Sequence, residues 1–248
     1  MEQREILVKS TLDDTMQPSL FYKASGEEKR PLLVGLHTWS VNRFNQLENM
    51  LPFAEQNNFK ILLPEFRGKN LAGNPDCKKA CGSEFAVQDV VDAINYVIEN
   101  ENVDKENVFL LGASGGGMMA LLLAGKHPKD YKAVGAFVPV CDLVEWQSHG
   151  YGKHIVACCG TEEEMLKRSP ISYAEGIAKS NTKIFHGKHD PFVPRAHSIE
   201  LYKKIMAENP DASVYLDIFD GKHEMDMVLA THWILQQYNK KTNVKVTT

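Results

Sequence analysis

The 248-residue chain lacks any apolar run of membrane-spanning length: its longest apolar stretches are interrupted by Gly, Lys or His well short of ~20 residues. It also lacks a basic block, and its formal net charge is −4, so nucleic acid is not an expected partner. The opening residues, MEQREILVKS, have no apolar core, which predicts no secretory leader. No internal repeat and no Pro- or Ser-rich linker divides the sequence, which predicts one domain over residues 1–248. Cysteine is scarce. The five residues Cys77, Cys81, Cys141, Cys158 and Cys159 are odd in number and irregular in spacing, which argues against a disulfide scaffold. Cys77 and Cys81 lie in a Gly/Asn/Lys-rich stretch and are read as free thiols, with pairing or metal binding as the alternative. No histidine lies close in sequence to complete a zinc site. No metal or cofactor is expected, and the expected compartment is the cytoplasm. Hydrophobic residues make up 43% and charged residues 24%, which suits a folded domain with a substantial core.

What is present is an alternation of short apolar runs with helical patterns. Glu5–Lys9 and Ser19–Lys23, joined by a turn at Asp13-Asp14-Thr15, predict an antiparallel pair. Nearly unbroken apolar runs follow at Pro31–Leu36, Lys60–Leu63, Val108–Leu111, Ala133–Val140, Thr182–Phe185 and Val214–Phe219, as expected of strands covered on both faces. Between them, helices are predicted at Glu84–Glu99 (capped by Ser83), Gly115–Gly125, Ser198–Glu208 and Met225–Tyr238. This order predicts an α/β fold: a mostly parallel sheet of about eight strands with helices on both faces. Reactive groups on such sheets gather at the carboxyl ends of strands.

Three motifs meet that positional condition. Gly112-Ala113-Ser114-Gly115-Gly116 fits G-x-S-x-G between an apolar strand and a helix, the context of a nucleophile elbow. Small flanking residues allow the tight turn, and the helix amino end favours negative charge beside Ser114. A serine hydroxyl needs a base, and the base needs a third group to fix its tautomer. Asp190 lies in the loop after Thr182–Phe185, stiffened by Pro191 and Pro194, and is read as the acid, with Asp142 as its rival. Of the histidines beyond Asp190, His197 begins a helical stretch and His232 is expected to pack within a helix. His223, between Val214–Phe219 and the last helix, is therefore read as the base.

Acyl transfer needs donors aimed at a developing oxyanion. The Gly115 amide is one candidate, and the loop Leu36-His37-Thr38-Trp39-Ser40 supplies the second, from Trp39 or, as runner-up, Thr38. A long segment at 142–180 carries a polar helix-like stretch, Thr161–Lys167, and is expected to form a small cap. Its Trp146 and Tyr151 are candidates for a substrate pocket or for packing the cap onto the body.

With these residues placed, the chain resembles the α/β-hydrolase superfamily, and more closely the catalytic domain of the prolyl oligopeptidase family. The matching stretches are Pro64-Glu65-Phe66-Arg67-Gly68, Gly112–Gly116, Arg168-Ser169-Pro170-Ile171-Ser172-Tyr173, His186–Pro194 and Gly221-Lys222-His223-Glu224, spanning roughly residues 30–240. The resemblance implies the same triad and metal-free hydrolysis of an ester or amide. It also implies an internal ion pair at Arg67. The chain has no room for the β-propeller that gates larger peptidases of the family, which shifts the expectation toward a carboxylic-ester hydrolase. A peptidase acting on short peptides is the alternative, and a non-catalytic binding protein of the same fold a third. The family usually carries Gly where this chain has Thr38, so the choice between the Thr38 and Trp39 amides stays open. The expected partner is a small ester or short peptide.

Overall fold

The computed structural model describes residues 2–240. Eight strands form one sheet: β1 (Glu2–Lys9), β2 (Met16–Lys23), β3 (Arg30–Leu36), β4 (Lys60–Pro64), β5 (Val103–Ala113), β6 (Ala133–Phe137), β7 (Thr182–Gly187) and β8 (Val214–Phe219). Their order is β1-β2-β4-β3-β5-β6-β7-β8. β2 is antiparallel to both β1 and β4, and the pairs from β4 through β8 are parallel. This is the α/β-hydrolase arrangement. On the edge strand β1 only Ile6 and Val8 are buried, a period of two with one face in water. The inner strands are buried on both faces, and alternate residues serve different layers. Val108 and Leu110 of β5 join one hydrophobic cluster, and Phe109, Leu111 and Ala113 join the other.

The first cluster is covered by α2 (Glu84–Asn100), α3 (Gly115–Lys126) and α8 (Ala196–Glu208). The second is covered by α1 (Leu47–Asn57) and α9 (Met227–Asn239). Ser83 caps α2 by accepting the Ala86 amide at 3.3 Å. Segment 142–180 contains α4 (Leu143–Trp146), a distorted helical stretch at Gln147–Tyr151, α5 (Gly152–Cys159), α6 (Glu162–Lys167), a tight turn at Pro170–Tyr173 and α7 (Ala174–Ile177). Thr161 caps α6 through the Glu164 amide.

Two expectations need correction, and one helix was not expected. β6 ends at Phe137, not Val140, because Val138 takes φ +40° while its amide bonds Phe185 O at 2.7 Å. Helix α1 was not among the expected elements; it holds Pro52, and its Met50, Phe53 and Ala54, at helical spacing, are buried. His232, expected to pack, is exposed on α9.

Arg67 explains how the hairpin is fastened to the body. The turn after β4 runs through positive φ at Phe66, Arg67 and Gly68, and it sends the guanidinium inward. Nε and Nη2 reach Asp89 of α2 at 2.5 and 3.0 Å, while Nη1 and Nη2 reach Asp13 of the β1–β2 turn at 2.9 Å each. Bonds from Arg67, then Lys79 and Thr15, hold the Asp13 carboxyl far below the usual range. Burial pushes Asp89 up, opposed by Arg67. The internal ion pair expected at Arg67 is thus present. Removing one partner strands a charge whose desolvation is no longer compensated. Arg67→Ala is expected to cost about 3–5 kcal/mol in denaturant unfolding; a loss under about 1 kcal/mol would contradict this account.

Candidate active site

Ser114 follows β5 directly and adopts φ +56°, ψ −118°, a conformation that costs a non-glycine residue roughly 1–3 kcal/mol. Its amide donates to Phe137 O at the end of β6 (2.9 Å), which holds the turn against the sheet edge. Gly115 then opens α3. A Cβ there would stand 2.9 Å from Trp39 N and 3.0 Å from Trp39 Cα, so glycine is what allows the loop after β3 to approach. The Trp39 amide and the start of α3 are thereby brought together. The Thr38 amide is already bonded to Asn45 Oδ1 at 3.1 Å, which favours Trp39 as the second candidate donor. His37 anchors this loop: it stacks on Phe66 at 3.8 Å and its ring nitrogens face Glu65 O (2.6 Å) and Thr38 O (3.0 Å).

Asp190 stands in the loop after β7. Its Oδ1 accepts the Phe192 and Val193 amides at 2.8 and 3.0 Å, and its Oδ2 lies 2.7 Å from His223 Nδ1. Burial raises the carboxyl pKa. Bonds from His186, His223 and the two amides outweigh it and hold the group well below the usual range. An ionised carboxylate only accepts, so Nδ1 of His223 carries a proton, and Nε2 is the ring atom that holds the lone pair whenever the imidazole is neutral.

The loop carrying His223 is tied to the loop carrying Asp190. Lys188 N donates to Phe219 O and His189 N to Gly221 O, each at 2.9 Å. A Cβ on Gly187 would collide with the Lys222 carbonyl oxygen, so glycine at the end of β7 sets where His223 sits. Phe192 is 52% exposed and meets the His223 ring edge-on at 5.2 Å.

Two supporting residues carried no role in the sequence reading. His186, fully buried, faces Ser198 Oγ at 2.7 Å and Val193 O at 2.9 Å, and its Nε2 is 3.5 Å from Asp190 Oδ2. It braces the loop that carries Asp190. The only signal was a histidine at a strand end four residues before an aspartate. Gly187 is the other, and a glycine there has no signature until the loop packed on it is known.

The rivals have other work. Asp142 caps α4 through the Val144 and Glu145 amides at 2.9 and 3.2 Å. His197 accepts the Cys141 and Asp142 amides at 3.2 and 3.3 Å, and its Nε2 lies against the Glu145 carboxylate. Trp146 is fully buried and Tyr151 half-buried. Their rings stack at 4.3 Å, and Trp39 meets them at 4.8 and 6.2 Å. Trp146 Nε1 donates to Phe192 O at 3.1 Å, so one indole touches both the Trp39 loop and the loop carrying Asp190.

Burial lowers the pKa of His37, against the Thr38 and Glu65 carbonyls, and that of His197, against Glu145. A histidine whose folded pKa is depressed leaves the unfolded chain as the better proton binder. The stability it contributes is complete above the unfolded value of ~6.5 and is lost as pH falls toward the folded value. Unfolding free energy is therefore expected to drop between pH 7 and 5, by up to about 1.4 kcal/mol per pH unit for each histidine. Denaturant titrations across that range check it, and a flat profile would contradict it.

No helix among the described residues is long and apolar enough to cross a membrane. The chain is 29% identical over 166 residues to the acylamino-acid-releasing enzyme of Rattus norvegicus, a match covering 61% of this chain and 22% of that one. It is 28% identical over 123 residues to the acetylxylan esterase of Coprinopsis cinerea, covering 45% and 32%. The chain thus spans about a fifth of the rat relative's length. In structure it resembles an acylaminoacyl peptidase of Pyrococcus horikoshii with a TM-score of 0.74 at 18% identity, covering 95% of this chain and 40% of that one. With residues 46–242 matching the sequence model of the prolyl oligopeptidase family, the chain belongs to that family of serine hydrolases.

Proposed function

We propose that the protein hydrolyses carboxylic esters of small molecules through an acyl-enzyme on Ser114. The observation that carries this reading is the 2.7 Å bond between Asp190 and His223, on the loops after β7 and β8, at the same sheet edge as the strained Ser114 turn after β5. In the proposed cycle His223 Nε2 takes the Ser114 proton as Oγ attacks the carbonyl carbon. The Trp39 and Gly115 amides receive the oxyanion. His223⁺, stabilised by Asp190, then protonates the departing alkoxide oxygen, and water repeats the sequence to free the acid. No metal or cofactor takes part in this scheme.

The similarity to an acetylxylan esterase supports an ester substrate. The packing of Trp146 and Tyr151 against Trp39 of the proposed oxyanion loop supports segment 142–180 as a cap held over the site. The similarity to an acylamino-acid-releasing enzyme favours a second reading, cleavage of short peptides by the same residues. The compartment we propose is the cytoplasm.

A panel of p-nitrophenyl acyl esters and aminoacyl p-nitroanilides separates the two. Ester turnover with no enzyme-dependent release of p-nitroaniline from any amide supports the first, and enzyme-dependent cleavage of an aminoacyl p-nitroanilide replaces it with the second. Absence of Ser114 labelling by a fluorophosphonate would overturn both and leave a binding protein.

A further inference from the structure

Four of the five cysteines, distant in sequence, meet in space. Cys77 and Cys81 lie on the loop before α2, and Cys158 and Cys159 end α5. All are free thiols. Cys81 Sγ and Cys159 Sγ are 4.0 Å apart, in contact and buried. Cys158 interacts with both Cys77 and Cys81, and Cys77 Sγ lies 3.7 Å from Ala157 O. Among the described residues no group of three His, Cys, Asp or Glu side chains is arranged to hold a metal ion, so proximity of the thiols calls for another chemistry.

A cation already clamps the two segments together. Arg168 Nη1 donates to Lys78 O and Ala80 O at 3.2 Å on the loop and to Cys158 O at 3.3 Å on α5. The same clamp brings positive charge to the sulfurs. The Cys81 thiol hydrogen-bonds to Cys159, which lowers the Cys159 pKa; burial opposes this, and the Arg168 charge adds to the lowering. A thiol of lowered pKa next to a second thiol is the arrangement in which an oxidised sulfur is resolved to a disulfide.

We propose that Cys81 and Cys159 form a site of reversible oxidative modification, a disulfide that latches α5 and segment 142–180 to the body of the protein. The oxidant is a small hydroperoxide. The Cys159 thiolate attacks the terminal peroxide oxygen, the O–O bond breaks, and sulfenic acid and water form from hydrogen peroxide with one proton taken up. The Cys81 sulfur then attacks the sulfenic sulfur, expelling a second water as the Cys81 proton is lost. Two thiols are oxidised by two electrons and one peroxide is reduced to two waters. The latch lies close to the proposed chemistry. Cys81 N donates to Asn70 Oδ1 at 2.7 Å, and Asn70 N to Trp39 O at 2.8 Å. In a reducing compartment the bond is transient and thiol-reversible, as expected of a redox-responsive pair.

The full chain is reduced, freed of reductant, treated with hydrogen peroxide, alkylated and mapped by mass spectrometry. The expected product is a cross-link between the Cys81 and Cys159 peptides that dithiothreitol removes. Closing so long a loop raises Tm by on the order of 5 °C in the wild type. Cys81→Ser and Cys159→Ser each lose the cross-link and the oxidant-dependent rise in Tm, while Cys141→Ser keeps both. The proposal is overturned if both thiols remain alkylatable after peroxide, if the cross-link joins Cys77 to Cys158 instead, or if the purified protein carries stoichiometric zinc released on thiol alkylation.

Discussion

Ser114→Ala is expected to lower kcat on p-nitrophenyl acetate by on the order of 10⁶-fold, leaving a folded protein with residual turnover only. The size of the effect follows from the chemistry proposed for this residue. Without Oγ no acyl-enzyme forms, and the imidazole of His223 has nothing to activate except water. What remains is the contribution of the Trp39 and Gly115 amides and of substrate binding. The fold itself should be little changed, because the Ser114 amide, not its side chain, is what bonds Phe137 O. Steady-state assays with a matched thermal melt separate the two effects. A variant within tenfold of wild type, with an unchanged melt, would remove Ser114 from the mechanism.

Asp190→Asn is expected to lower kcat by about 10⁴-fold with little change in KM, and the geometry says why. Oδ1 accepts two backbone N–H groups, from Phe192 and Val193, so an asparagine must keep its carbonyl oxygen there. Its NH₂ then occupies the place of Oδ2, facing His223 Nδ1. A donor meeting Nδ1 forces the other imidazole tautomer, with hydrogen on Nε2, and the base is lost although the loop is nearly unmoved. The variant also removes the negative charge that stabilises the imidazolium. An Asp190→Asn protein retaining more than a tenth of wild-type kcat would point to Asp142 or another carboxylate as the acid.

Much of the architecture was legible from period and punctuation. The six apolar runs after the first hairpin each contain or overlap a strand, and for the five inner strands this follows because a strand covered on both faces cannot alternate with polar residues; the sixth, Val214–Phe219, is instead the far edge strand β8, with Tyr215 and Ile218 exposed. Ser83 announced α2 because its hydroxyl satisfies an amide the helix leaves open. The end of β6 was not legible. The apolar run continues past Phe137 through Val138, Pro139 and Val140, and that continuity says nothing about the positive φ at Val138 or its amide's bond to β7. The roles of Asp142 and His197 were likewise ambiguous until the cap of α4 and the amides bonded to His197 were visible.

By itself the sequence determined the local chemistry: a serine in a turn only small neighbours permit, an aspartate in a proline-stiffened loop, a histidine after the last strand, and the periodicities that make one sheet from β1 to β8. Tertiary structure alone decided which residues touch. It paired Asp190 with His223 across 33 positions, brought the Trp39 amide beside Gly115, seated Arg67 between Asp13 and Asp89, and gathered four thiols from two distant segments. The division has a physical cause. Strand and helix preferences arise from interactions within a few residues, whereas these contacts depend on strand order and on how closely one loop packs against another.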